Sequence, residues 1–257
     1  MAMRYSADRI TYTIHSSQNI DAAYPASRIV DVARPFRVSR SSNTGGTFIV
    51  LDLGSVQHLA TVSIENANFT TCELWGSIID PTTPGFNWAV QTPYGPLTLA
   101  VDQEDGRRKC RVAPDADTRW IYVNPQSPVT GATYFEIGAI GCWSTLTTLA
   151  KSVGLPYEKT PQVASDSLEY ESGAVEMQAL GPAGLVIATS TANIPRNSAA
   201  HDQYATLART PRDRIVLWDE NEGDASKMYH AQVTETWEIT RGPSYIDVTG
   251  IRLTQTV

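Results

Sequence analysis

Apolar and polar residues alternate along most of the first half of the chain. In FIVLDLGSVQHLATVSIEN, Phe48 to Asn66, two such runs meet at Gly54, and others follow in CELWGSII, LTLAV, KCRVA, RWIYVNP and YFEIGAIGCW. A period of two sends successive side chains to opposite faces, so each run predicts a half-buried strand, and the Gly, Pro, Asn and Asp clusters between them predict turns. Many short strands at this spacing predict an all-β sandwich. Around LTTLAKSVGLPYEKTPQVASDS, Leu146 to Ser167, the alternation stops and Pro156 and Pro161 appear. That lapse places a linker at 149–166, between a domain at 1–148 and a second at 167–257.

The second domain keeps the strand pattern, in LEYESGAVEMQALG, GLVIATS and RIVLWDE, with one short helix expected at AAHDQYATLAR. In MYHAQVTETWEI, Tyr229, Ala231, Val233, Trp237 and Ile239 share one parity, and a turn at Arg241 to Ser244 returns the chain into YIDVTGIRLTQTV. There the apolar positions are Ile246 and Val248, then Ile251 and Leu253, so the parity flips across Thr249 and Gly250. One extra residue restores the face, which predicts a β-bulge at Gly250.

Composition narrows the function classes. With 257 residues, 42% hydrophobic and 18% charged, the chain can bury a core and is too apolar for disorder. A formal net charge of -7, with no basic run longer than Arg107-Arg108-Lys109, argues against a nucleic-acid partner. No run approaches a membrane span, and MAMRYSADRI lacks the apolar centre of a secretory signal, so synthesis in the cytoplasm is expected. Cys72, Cys110 and Cys142 are odd in number and far apart, which predicts buried thiols rather than a disulfide framework or zinc site.

The order AAYPASRIVD, FIVLDLGSVQHLATVSIEN, CELWGS, RWIYVNP, YFEIGAIGCW resembles the discoidin or coagulation-factor type C family over about residues 5 to 145. Phe48 to Gly54, Arg119 to Tyr122 and Tyr134 to Ile137 carry the likeness. It implies a galactose-binding-like jelly-roll β-sandwich whose loops bind sugars or lipids. No cysteine near residue 5 ties the domain ends, in keeping with a reducing compartment. Asp52 is expected to be structural, accepting backbone or arginine donors before the Gly54 turn. RPFRVSRSSNTGG and IIDPTTPGFNWAVQTPYGP supply Phe36, Arg37, Arg40, Phe86, Trp88 and Tyr94 as candidate glycan contacts.

Arg214 to Trp218, Tyr229 to Trp237 and Tyr245 to Leu253 resemble the β-rich ring-forming domains of phage tail and baseplate proteins, distal tail proteins included. This resemblance implies a virion structural protein of a siphophage-like tail tip, synthesised in the host cytoplasm. It would form a hexameric ring joining tail tube to hub, with tube, hub and tape measure proteins as neighbours and host cell-surface glycans as ligands of the sandwich. A free, lectin-like carbohydrate-binding protein is the alternative.

No chemistry-bearing motif opposes a non-catalytic role, and neither a cofactor nor a metal is expected. His15, His58, His201 and His230 lack ligand spacing. DENEGD, Asp219 to Asp224, fails as a calcium loop, because Gly223 stands at the fifth position and His230 at the twelfth; it reads as a solvated turn. VDQEDGRRK, Val101 to Lys109, likewise reads as a surface hairpin, with no second carboxylate placed across a cleft.

Overall fold

The computed structural model describes residues 3–35, 37–151, 153, 157–162, 165–169, 175–179, 184–212, 214–234, 238–242 and 244–256. It separates into two compact units, one of Met1–Thr148 with Val216–Tyr229, the other of Leu149–Ile215 with His230–Val257.

The first unit is a sandwich of two antiparallel sheets. Its main strands are β1 (Arg4–Ser6), β2 (Thr13–Gln18), β3 (Phe48–Leu59), β4 (Thr61–Ala67), β5 (Phe69–Ser77), β6 (Arg108–Val112), β7 (Ala116–Pro128) and β8 (Glu136–Trp143). One sheet runs β2-β3-β7-β5, and the other β6-β4-β8 with short edge pieces. From β3 onward successive strands alternate between the two sheets, so each crossing helps to close the apolar interior. Ile49, Leu51, Leu74, Ile121 and Val123 face Val62, Ile64, Cys110, Ile140 and Cys142 within one buried cluster. The three cysteines are free and buried. Burial pushes the Cys110 and Cys142 thiols up to about 12, so neither is a nucleophile at neutral pH.

Gly54 does not reverse the chain, as the sequence suggested. β3 continues through it at φ +80 as far as Leu59, and after Ala60 the chain enters β4 in the other sheet. Thr118 lies opposite Gln57 while Trp120 lies opposite Asp52, so the extra residues of β3 bulge outward around Gly54.

In the second unit β9 (Tyr157–Gln162) pairs with β12 (Gly184–Pro195), so strand structure occupies part of the stretch that the sequence marked as linker. Between them β10 (Ser165–Glu169) and β11 (Val175–Ala179) form a two-stranded ribbon. The expected helix is α1 (Ala199–Ala208), capped by the Ser198 hydroxyl, which accepts from the His201 amide at 3.2 Å, and seated on Ala200, Tyr204 and Leu207. β13 (Ile215–Asp219), β14 (Met228–Val233), β15 (Glu238–Arg241) and β16 (Tyr245–Gln255) follow.

The bulge predicted in β16 is present. Thr191 lies opposite Val248 and Thr189 opposite Ile251, with Gly250 at φ +70, so Ile246, Val248, Ile251 and Leu253 are all buried. Trp237 lies outside the described residues. The segment Val216–Tyr229 clusters with the first unit rather than with the second domain as read from the sequence. β1 accounts for this in part, pairing Arg4, Tyr5 and Ser6 with Asp219, Trp218 and Leu217.

Candidate functional site

The outward face of the β2-β3-β7-β5 sheet carries an aromatic cluster. Residues on β7 that alternate with the inward Ile121 and Val123 include Tyr122, which lies opposite Trp75 of β5. The Tyr122 ring stacks on Phe48 at 5.3 Å and meets Trp75 edge-on at 5.5 Å. Trp88 lies 5.1 Å from the same ring, and Phe86 stands edge-on to Trp88 at 4.9 Å. These half-buried rings form a continuous surface with polar atoms beside it, where the Asn124 amide donates to Glu73 Oε2 at 3.0 Å.

The loop bearing Phe86 and Trp88 is braced. Asp80 Oδ1 accepts from the Thr82 amide and hydroxyl at 2.8 and 2.7 Å, and Asn87 Oδ1 accepts from the Ala89 amide at 2.9 Å to open the short helical turn Trp88–Val90. Rings held in this way can stack on a flat apolar ligand face with little further loss of freedom.

A second feature is a cavity of about 260 Å³ lined by Ser27, Arg28, Asp31 and Arg37. Its wall is the 3-10 helix Ala26–Val30, anchored by the fully buried Ile29. Beside it cations and rings alternate: Arg28 lies 5.0 Å over Tyr24, and Arg40 lies 4.2 Å from the rings of both Tyr24 and Tyr134.

The six residues named from the sequence therefore take different parts. Phe86 and Trp88 join the aromatic surface, and Arg37 lines the cavity. Arg40 is engaged by Glu136, donating from Nε at 2.8 Å. Tyr94 packs across Gly76, so closely that a Cβ there would stand 2.0 Å from its hydroxyl oxygen. Phe36 lies outside the described residues. Phe48, Trp75 and Tyr122 join the same surface from strands rather than loops; their sequence signal is an aromatic on the outward parity, as in RWIYVNP. Ser27, Arg28 and Asp31 gave no sequence signal.

Asp52 is structural as expected. Its Oδ1 accepts from the Gly54 amide at 2.8 Å and from Arg119 Nε at 3.0 Å, and hydrogen bonding from Arg119 above all holds its carboxyl below the usual range.

Two acidic turns read as surface features are instead partly buried. Asp102, Arg107, Lys109, Asp219 and Glu220 are all buried. Lys109 lies between Asp102 and Asp105, 4.1 Å over the Tyr229 ring, and its Nζ donates to the Met228 carbonyl at 3.3 Å. Asp102 also accepts from Lys227 Nζ at 2.6 Å and the Tyr229 hydroxyl at 2.7 Å. Burial pushes its carboxyl up, but the bonds from Lys227, Tyr229 and the Glu104 amide, with the Lys109 charge, outweigh this and bring it down to about 2.

Nearby, Asp219 Oδ2 receives Arg4 Nε at 2.8 Å and lies 2.9 Å from Arg111 Nε, while Arg107 pairs with Glu65 at 2.8 Å. Glu65, Asp102, Asp105 and Asp219 each face a cation here, which is the arrangement of a structural clasp. Among the described residues no group of three or more His, Cys, Asp or Glu side chains could hold a metal ion, and no helix is long and apolar enough to cross a membrane.

Compared with known protein families and with curated proteins, the chain matches none. Among solved structures it is similar to reduced XRCC1 bound to the DNA pol beta catalytic domain, at 16% identity and TM-score 0.42 over 53% of this chain and 99% of that one. It is also similar to CBM32-3 from a family 31 glycoside hydrolase of Clostridium perfringens, at 12% identity and TM-score 0.41 over 52% of this chain and 92% of that one. The family 32 CBM from C. perfringens NanJ in complex with galactose gives 15% identity and TM-score 0.37 over 54% of this chain and 98% of that one. Likenesses this distant carry no argument about ligand or role, and the two-sheet sandwich rests on the strand pairing itself.

Proposed function

We propose that the chain is a non-catalytic structural protein of a phage tail tip, a distal tail-like ring component whose first unit displays a carbohydrate-binding sandwich. The observation that supports assembly most directly is the β10–β11 ribbon. Among the described residues its two strands pair with each other and with no further strand. A two-stranded ribbon is marginally stable alone, and its free edges are templates for another chain. Head-to-tail contacts between identical copies cover such edges and close into a ring when the rotation allows. The resemblance of the C-terminal strands to ring-forming tail domains supplies the hexameric count and the neighbours: tube, hub and tape measure proteins.

Light scattering and negative-stain electron microscopy of the full chain, and of a variant in which a short Gly-Ser turn replaces residues 163–182, test this reading. The full chain is expected to form closed rings, alone or in an assembled tail, and the variant to remain monomeric. Absence of the protein from any ring at the tail tip overturns the proposal.

A second reading, a free lectin-like protein, is favoured by the aromatic surface and the cavity both lying within the first unit. It predicts glycan binding by a monomer with no self-assembly. Aromatic stacking on sugars is modest for each copy, and a ring would strengthen it through multivalency.

A further inference from the structure

We infer that the cavity lined by Ser27, Arg28, Asp31 and Arg37 binds an acidic sugar, a single pyranose carrying a carboxylate. The inference rests on the proposed glycan-binding role of the first unit and gives that unit a ligand class.

The walls are preformed. The Arg28 amide donates to the Pro25 carbonyl at 3.1 Å, the Arg34 amide to Asp31 at 3.0 Å and the Arg37 amide to Arg34 at 2.9 Å, so consecutive turns fix the backbone around the opening. Ile29 and Val32, both fully buried, tie these turns to the interior. Arg28 is oriented by the Tyr24 ring and by the bond from its Nη1 to the Val38 carbonyl at 3.4 Å, which leaves its other N–H groups to donate elsewhere.

The charge pattern selects the ligand. Arg40, close by, is neutralised by Glu136, whereas among the described residues neither Arg28 nor Arg37 has a carboxylate within ion-pair distance. Asp31 is the one acid among the described lining residues; its Oδ1 accepts from the Ala33 amide at 3.2 Å and its Oδ2 lies 3.7 Å from Arg34 Nε. Two guanidinium forks against one carboxylate favour an anion, and their planar donors match a carboxylate two bonds at a time. Ser27 and Asp31 add a hydroxyl and an acceptor suited to sugar hydroxyls. At about 260 Å³ the space falls just below the roughly 300 to 1,000 Å³ of pockets for drug-sized ligands, which fits one sugar ring rather than a chain.

The test is calorimetric titration of the full chain with D-glucuronate, D-glucose, acetate and inorganic sulfate. Glucose differs from glucuronate only at the carboxylate, and acetate supplies the carboxylate without the ring. Glucuronate is expected to bind about tenfold more tightly than either, and Arg37→Gln to remove about tenfold of that affinity with no change in melting temperature, since Arg37 is exposed. Arg28→Lys, which keeps the charge and removes the fork, is expected to weaken glucuronate as well.

Equal binding of glucuronate and glucose overturns the inference, as does sulfate or acetate matching glucuronate, or affinity unchanged in both variants. Ring assembly by microscopy and neutral-glycan binding sensitive to Trp88→Ala are read separately, so failure of the acidic-sugar site is distinguishable from failure of the proposed function.

Discussion

Two ion-paired aspartates show how burial decides what a charge pair is worth. Asp52 and Arg119 meet at the rim of the sandwich with side chains 18% and 36% exposed, while Asp219, held by Arg4 and Arg111, and Asp102, held by Lys109 and Lys227, are 0% exposed. The chemistry is the same, a carboxylate against a cation at hydrogen-bond distance. At the rim, water can replace a lost partner. In the buried clasp nothing replaces it, and the remaining charge is left in a medium that solvates it poorly. The exposed pair therefore tunes a bulge, and the buried pairs hold Val216–Tyr229 to the first unit.

The largest expected effect is that of Asp219→Ala. It leaves both Arg4 and Arg111 without their buried carboxylate and is expected to cost about 3–5 kcal/mol in denaturant unfolding of the full chain. Hydrogen exchange should rise first across 216–229. A loss no greater than that of a rim substitution would mean that water reaches the clasp and that the comparison fails.

The next effect is in pH. The Asp102 carboxyl is brought from 3.8 down to about 2 in the folded protein, a depressed value. The folded state therefore binds fewer protons than the unfolded state between these values. The stabilisation, about 2 kcal/mol, is fully present well above pH 4 and disappears as pH falls toward 2. Acid unfolding of Asp102→Asn should show a flatter limb in that window than the parent; an identical limb would assign acid sensitivity to other carboxylates.

Lys227→Met is expected to do less. Its ammonium is partly exposed, and Asp102 retains Lys109 and the Tyr229 hydroxyl when it is gone. The acid limb should move toward the ordinary carboxylate range, with a stability loss at neutral pH smaller than that of Asp219→Ala. This variant separates the contribution of one donor from that of the whole clasp.

The contrast also explains what the sequence could reveal. The apolar interior was legible because alternation is local: Ile49, Leu51, Ile121 and Val123 point inward as their parity requires. The bulge at Gly250 was legible for the same reason, a parity flip across a residue that tolerates positive φ. The clasp was not. DENEGD and VDQEDGRRK have the composition of solvated turns, and what buries them lies more than a hundred residues away, as in the Lys227 bond to Asp102. TVSIENA alternates as a strand with one wet face, yet Thr61, Ser63 and Glu65 are buried too. For the candidate site, loop aromatics drew attention to Phe86 and Trp88. The strand rings beneath them were masked by their resemblance to ordinary β residues, and the cavity depends on a backbone path with no sequence pattern.

The smallest expected effect is that of Asp52→Asn, and it sets the other limit of the comparison. The asparagine carbonyl oxygen can still accept from the Gly54 amide, so the bulge keeps its local bond, and only the charge facing Arg119 is lost. Because both side chains reach solvent, the freed guanidinium is rehydrated, and exposed pairs of this kind contribute little and are screened by salt. The midpoint in denaturant should shift by well under half the change seen for Asp219→Ala, and the difference from the parent should shrink further at high ionic strength. Hydrogen exchange at Gly54 to Val56 is expected to rise slightly while Val216–Tyr229 stays protected. A loss equal to that of Asp219→Ala, unaffected by salt, would show that the bulge around Gly54 depends on the ion pair and that burial is not the variable separating the two regions.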